Sequence, residues 1–306
     1  MTEQTPARFT GRIVVGYDGS AGATDALLYA AAIADSRKLE LVALMALSHL
    51  RVTDRRTTRA LKVDPNYIEN ITTKAQTQLS DAVQQVATAY PELDVTSVLL
   101  AESPIEALAN ASKDAALLVI GARGSSSEKR LPLLGSTATE VITYAQGPVL
   151  VVPEGTHGLS NGPVIIGLQD APDSLAASEI AATEAVLRDV PLVAMYAWDI
   201  APELGDFSSV MQLDPEQTYR DLDTMLQELV VPLLAKHPEL RVERRVVQGS
   251  ARVALVDASR TASLIVVGSR GLGGFAGLLL GSVSRAVTRE ALCPVIVVRE
   301  QSVPVR

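Results

Sequence analysis

Hydrophobic positions along this chain fall into short unbroken runs separated by longer stretches in which apolar residues recur every three or four positions. "RIVVGY" (12–17), "LVALMAL" (41–47), "DVTSVLL" (94–100), "ALLVIG" (116–121) and "PVLVV" (148–152) are of the first kind. Runs of this length without alternation predict strands buried on both faces. Between them, "SAGATDALLYAAAIADSRK" (20–38) and "YIENITTKAQTQLSDAVQQVATAY" (67–90) carry the helical period. The predicted order is strand, helix, strand, long helix, strand, helix, strand, glycine-rich loop, helix, strand. Continuous apolar strands alternating with helices imply a parallel sheet covered on both sides.

The pattern then repeats. "GRIVVGYDGSAGATDALLYAAAIADSRKLELVALMAL" is echoed by "GPVIIGLQDAPDSLAASEIAATEAVLRDVPLVAMYAW", so that Gly16 matches Gly167 and Ala46 matches Ala197. Farther on, "AALLVIGARG" is echoed by "ASLIVVGSRG" and "QGPVLVVPE" by "LCPVIVVRE". The joint, "PEGTHGLSNGP" from Pro153 to Pro163, is built from residues that interrupt regular structure. The expected organisation is therefore two α/β domains, 1–153 and 163–306, each a doubly wound parallel five-stranded sheet with helices on both faces.

Composition narrows the function classes. The net charge of −8 over 306 residues disfavours a nucleic-acid or anionic-membrane partner, since phosphate backbones are held by clustered Lys and Arg. No apolar run is long enough for a membrane span, and the polar "MTEQTPARFTGR" reads as a short tail before the first strand. The single cysteine, Cys293, cannot form an internal disulfide, which fits a reducing cytoplasm, and "CPVIVV" suggests a packed thiol. His49, His157 and His237 lack the spacing of metal ligands.

Candidate chemistry sits in "GSRGLGGFAGLLLGSVS", Gly268 to Ser284, just past the fourth strand of the second copy. Glycines there let backbone N–H groups converge on an anion, and a following helix adds its positive end. A Walker loop requires Gly-Lys, a pair this chain lacks. "GLGGFA" (271–276) mimics a dinucleotide fingerprint, but it follows the fourth strand, not the first, and its counterpart "GSSSEK" lacks the pattern. What remains is Gly268, Gly271, nine residues, then Gly281-Ser282.

This G-x2-G-x9-G-S arrangement, the "VVGYDGS" opening, the "CPVIVV" ending and the tandem layout together resemble the universal stress protein family, specifically its two-domain, ATP-binding members. The fold implied is universal-stress-protein-like, that of the adenine nucleotide alpha hydrolases, and Rossmann-like in outline. The resemblance implies ATP, with Mg2+, as ligand. It assigns the phosphates to Gly268, Gly271, Gly281, Ser282 and Ser284 in the second copy and to Gly121, Gly124, Gly135 and Ser136 in the first. It assigns the ribose to Asp18, with Gln169 in the equivalent place, and the adenine to Ala46 and Ala197. It further implies a cytoplasmic stress-response or growth regulator, with fifth strands joining the two copies into an intrachain pseudo-dimer and chains into a homodimer, and with a protein partner of unknown identity.

Each copy departs from the pattern. The first keeps Asp18 but has ten residues between Gly124 and Gly135, including Pro132, and has Ala138 where the second has Ser284; Lys129 and Arg130 could supply charge there. The second keeps the loop but has Gln169 in place of Asp18; a carbonyl oxygen of Gln169, or neighbouring Asp170, could still accept from a ribose hydroxyl. By loop spacing, the second site is the better match. Nothing near either loop reads as an activated nucleophile or positioned base, so at most a weak ATPase or self-phosphorylation is expected, with Ser125 to Ser127 or Ser282 as acceptors. The competing reading is an interaction scaffold whose pockets are relics.

Overall fold

A computed structural model of the protein describes residues 8–48, 65–124, 134–156, 158–169, 172–198, 214–270 and 280–299. The chain divides into two compact units at Leu159 and Ser160. Unit 1 runs β1 (Ile13–Gly16), α1 (Ala21–Arg37), β2 (Leu41–Ala46), α2 (Pro65–Ala89), β3 (Val95–Leu100), α3 (Pro104–Ala111), β4 (Leu117–Gly121), α4 (Ser136–Tyr144) and β5 (Val149–Val152). Unit 2 repeats it as β6 (Val164–Gly167), α5 (Pro172–Leu187), β7 (Leu192–Trp198), α6 (Pro215–Lys236), β8 (Val242–Gln248), α7 (Ala251–Ala258), β9 (Leu264–Gly268), α8 (Ser282–Glu290) and β10 (Val295–Val298).

Within unit 1 the strand order is β3-β2-β1-β4-β5, every pair parallel. Within unit 2 it is β8-β7-β6-β9-β10, again parallel throughout. The central strands are sealed: Ile13, Val14 and Val15, Leu117 to Val119, and Leu264 to Val266 are at most 1% exposed. That burial on both faces is what an uninterrupted apolar run requires. The long helices need only one apolar stripe, and Ala75, Leu79, Ala82 and Val86 on α2 supply it. On α6 the stripe is Leu226, Val230 and Leu233.

Duplication extends to hydrogen bonds. Lys38 and Asp189, at equivalent ends of α1 and α5, both take left-handed backbone angles (φ 53° and 51°) that terminate their helices. The buried hydroxyl of Ser112 accepts the Gln146 N–H at 2.9 Å, and that of Ser259 accepts the Leu292 N–H at 3.0 Å. Both tie the end of one helix to the turn before the last strand.

Cys293 is 5% exposed, and burial pushes its thiol up to about 12. Such a thiol packs and does not react.

Candidate functional site

Strands β1 and β4 are hydrogen-bonded neighbours, Ile13 beside Leu117 and Val15 beside Val119, yet the chain leaves them in opposite directions, toward β2 and toward β5. In doubly wound sheets a ligand sits in the crevice that opens at the carboxyl ends of such a pair. In unit 1 that crevice is flanked by residues 17–22 after β1 and 121–124 after β4.

The turn after β1 is tightly specified. Gly19 has φ +77°, a conformation strained for any other residue but readily taken by glycine. Asp18 Oδ1 accepts the Ser20 N–H at 3.0 Å, and Ser20 Oγ accepts the Ala23 N–H at 3.1 Å, capping α1. The cap is separable from the rest: Ser20→Ala should cost about 1 kcal/mol. Urea denaturation followed by far-ultraviolet circular dichroism checks this, with a lowered midpoint and an unchanged slope expected.

Three glycines let α1 and the loop after β4 approach closely. A Cβ on Gly22 would lie 2.6 Å from the Arg123 carbonyl oxygen, and one on Gly121 would lie 2.6 Å from the Gly22 carbonyl oxygen. A Cβ on Gly124 would lie 2.8 Å from Asp18 Oδ2, so the exposed carboxylate faces the backbone of the loop directly. The far end of the loop returns to its start: the Gly135 N–H donates to the Ala122 carbonyl at 2.8 Å. Gly135 then caps α4 with no side chain, which leaves the first-turn N–H groups of α4 without a side-chain acceptor and Ser136 exposed beside them. Asp18, Gly121, Gly124 and Gly135 are thus brought together. Ala46 closes β2, half-buried, opposite Leu100 of β3.

Unit 2 shares the loop closure but differs in detail. The Gly281 N–H donates to the Ser269 carbonyl at 2.7 Å, and Gly281 likewise caps α8 without a side chain, with Ser282 exposed and Gly268 half-buried. Ser284, assigned from the sequence to the phosphates, is 3% exposed, its hydroxyl 3.1 Å from the Ser269 carbonyl oxygen and 3.2 Å from that of Gly281. It pins the two ends of the loop to each other. Gln169 is half-buried two residues past β6, and its N–H donates to Ser174 Oγ at 3.3 Å. Ala197 lies half-buried near the end of β7. Gly271, Asp170, Ser125 to Ser127, Lys129, Arg130 and Pro132 lie outside the described residues, as do His49 and His157.

Sequence reasoning passed over Gly19, Ser20, Gly22 and Arg123. The signal for the first three stood in "DGSAG", where two glycines and a cap residue follow a buried strand. Arg123 adds a link across the crevice wall: its Nε lies 3.7 Å from Glu154 Oε2, just past β5.

The class so defined is a tandem doubly wound α/β protein with a glycine-lined crevice at the switch point of its first unit. The universal stress protein family model matches residues 10–153 and again 161–299, and the chain belongs to that family. A universal stress protein of Mycolicibacterium smegmatis is 38% identical over 210 residues, which is 68% of this chain and 69% of the relative. One from Mycobacterium tuberculosis is 32% identical over 304 residues, 94% of each chain. Among solved structures, a universal stress protein from Archaeoglobus fulgidus superposes with a TM-score of 0.66 at 20% identity, covering 95% of this chain and 97% of that one. That likeness establishes the shared fold.

Proposed function

We propose that the protein binds ATP and acts as a nucleotide-dependent stress or growth regulator, turning the nucleotide over slowly if at all. The observation that carries this reading is the placement of Asp18 Oδ2 against the bare backbone of Gly124, at the switch point between β1 and β4. A carboxylate there can accept from both hydroxyls of a ribose, while the first-turn N–H groups of a helix start with no side-chain cap suit phosphates. Ala46, small and last in β2, is the residue that would lie against the base. Mg2+ enters as the counter-ion of the phosphates. The proposed setting is cytoplasmic, in a homodimer that transmits occupancy to a protein partner.

No described residue at the crevice is a base aimed at a water beside a terminal phosphate. Asp18 stands at the ribose end of the proposed pose, which is why regulation is preferred to catalysis. The test is isothermal calorimetry of nucleotide-stripped protein with Mg-ATP, with ADP and a cyclic adenine nucleotide as comparisons. Saturable heat with ATP at sub-millimolar concentration is expected. No heat at millimolar ATP would sink the reading and leave an interaction scaffold.

A further inference from the structure

We infer that β3, an edge strand of the unit 1 sheet, takes up an extended segment of a protein partner in which apolar and acidic side chains alternate. The inference is independent of the nucleotide. Among the described strands β3 pairs with β2 alone. The Leu41 N–H donates to the Asp94 carbonyl and the Leu47 N–H to the Leu100 carbonyl, both at 2.9 Å. Along a strand the N–H and C=O of one residue point to one side and those of the next to the other. Asp94, Thr96, Val98 and Leu100 therefore face β2, while Val95, Ser97 and Leu99 turn their backbone groups outward. A row of outward donors and acceptors is what an added strand requires.

Unit 2 shows how such an edge is closed. The Leu192 N–H donates to the Arg241 carbonyl as Leu41 does to Asp94, and the His237 N–H to the Leu233 carbonyl as Tyr90 does to Val86. This common frame makes Arg244 the counterpart of Ser97, Glu243 that of Thr96 and Asp223 that of Gln76. Arg244 Nε and Nη2 donate to Asp223 Oδ1 and Oδ2 at 2.9 and 3.1 Å, clamping the edge of β8 to α6, and Arg245 lies 3.9 Å from Glu243. Charged side chains along an edge deter pairing. β3, "VTSVLL", carries no charge, and its Thr96 and Ser97 are exposed. Where unit 2 has its clamp, Gln76 and Ser97 line an open cavity of about 410 Å³ together with Leu79, Ser80, Val83 and Leu99.

The other face of the strand opens on a second cavity of about 370 Å³, where Arg8 and Arg12 lie beside Val42, Thr96 and Val98. Arg12 also pairs with Glu40, so two cations stand against one carboxylate there. Side chains of an added strand alternate between the two faces. Those on the α2 side meet Leu79, Val83 and Leu99, and those on the other side meet the arginines, which is why apolar residues should alternate with acidic ones. Pairing of β3 with the β3 of a second copy would set only uncharged side chains over those arginines.

The experiment is fluorescence anisotropy of a labelled hexapeptide of alternating valine and glutamate titrated with the full chain, with the valine–lysine hexapeptide as comparison. The acidic peptide should bind saturably, and the basic one about tenfold more weakly or worse. Ser97→Pro should abolish binding without unfolding unit 1, since the N–H it removes points away from β2 and proline is tolerated at an edge. Gln76→Asp combined with Ser97→Arg copies the clamp of unit 2 into unit 1 and should abolish binding too; it serves alone should proline disturb the strand. Arg8→Glu should remove the preference for the acidic peptide. Equal binding of the two peptides, no saturable binding of either, or binding retained by the folded clamp variant would overturn the inference. So would a wild-type chain that sediments as a dimer with a clamp variant that sediments as a monomer, because the edge would then belong to a second copy.

Discussion

Glu184→Ala should destabilise unit 2 by about 3–5 kcal/mol, the usual consequence of removing one partner from a buried ion pair. Glu184, in the last turn of α5, and Arg188, the residue after that helix, have side chains 2% and 3% exposed, with Arg188 Nη2 and Nε donating to Glu184 Oε2 at 2.6 and 2.9 Å. The penalty arises less from the lost attraction than from what is left behind. A guanidinium stays in a site that water does not reach, beside the buried thiol of Cys293. Replacing both partners, as in Glu184→Leu with Arg188→Met, should come close to neutral, because the desolvation cost of the two charges vanishes with their attraction. Urea unfolding followed by Trp198 fluorescence reads unit 2 selectively. A single variant within 1 kcal/mol of wild type, or a double variant as unstable as the single, would contradict this account of the pair.

Unit 1 offers an internal comparison. At the positions of Glu184 and Arg188 it carries Ile33 and Arg37, and Ile33 is 1% exposed. The same place in the repeat is thus filled by an apolar side chain in one copy and an acid in the other. This divergence fits two units that share a backbone and have been tuned apart.

What the sequence shows well is whatever repeats with a period. Buried parallel strands must be apolar at every position, and α2 must be apolar every third or fourth, so both are legible in the residues. Strand limits agree to within a residue or two at most, "ALLVIG" against Leu117–Gly121 for example. The fold class follows from their alternation. Site geometry is less legible, because it depends on where backbones touch. Nothing in the spacing of Gly22 and Gly121, about a hundred residues apart, announces that Gly121 lies against the backbone of Gly22 and Gly22 against that of Arg123. Hydroxyls mislead for a related reason. Ser284 and Ser282 both look like phosphate donors in "GSVS", yet one faces solvent and the other is turned inward onto carbonyl oxygens by the first turn of α8. The loop-spacing rule, which favoured the second copy, weighs one side of the crevice and says nothing of the turn after the first strand that forms the other.

Asp18→Ala should weaken ATP binding by roughly ten- to hundredfold, the worth of one hydrogen-bonded charged group at about 1.5–3 kcal/mol. The alanine variant confounds two effects, however, since Oδ1 also accepts the Ser20 N–H and so holds the turn that begins α1. Asp18→Asn separates them. Asparagine keeps an acceptor for the Ser20 N–H and a similar shape, but loses the charge and presents an amide donor where Oδ2 faces Gly124. If the carboxylate serves the ribose, Asn should lose nearly as much affinity as Ala while retaining wild-type stability. If Asp18 acts only by shaping the turn, Asn should bind like wild type and Ala should lose affinity and stability together. A 2′,3′-dideoxy nucleotide then closes the cycle: it should bind more weakly than ATP to wild type and about equally to Asp18→Ala, because the hydroxyls and the carboxylate contribute only as a pair. Equal binding of ATP and its dideoxy analogue to wild type would remove Asp18 from the ribose and require a different orientation of the nucleotide in the crevice.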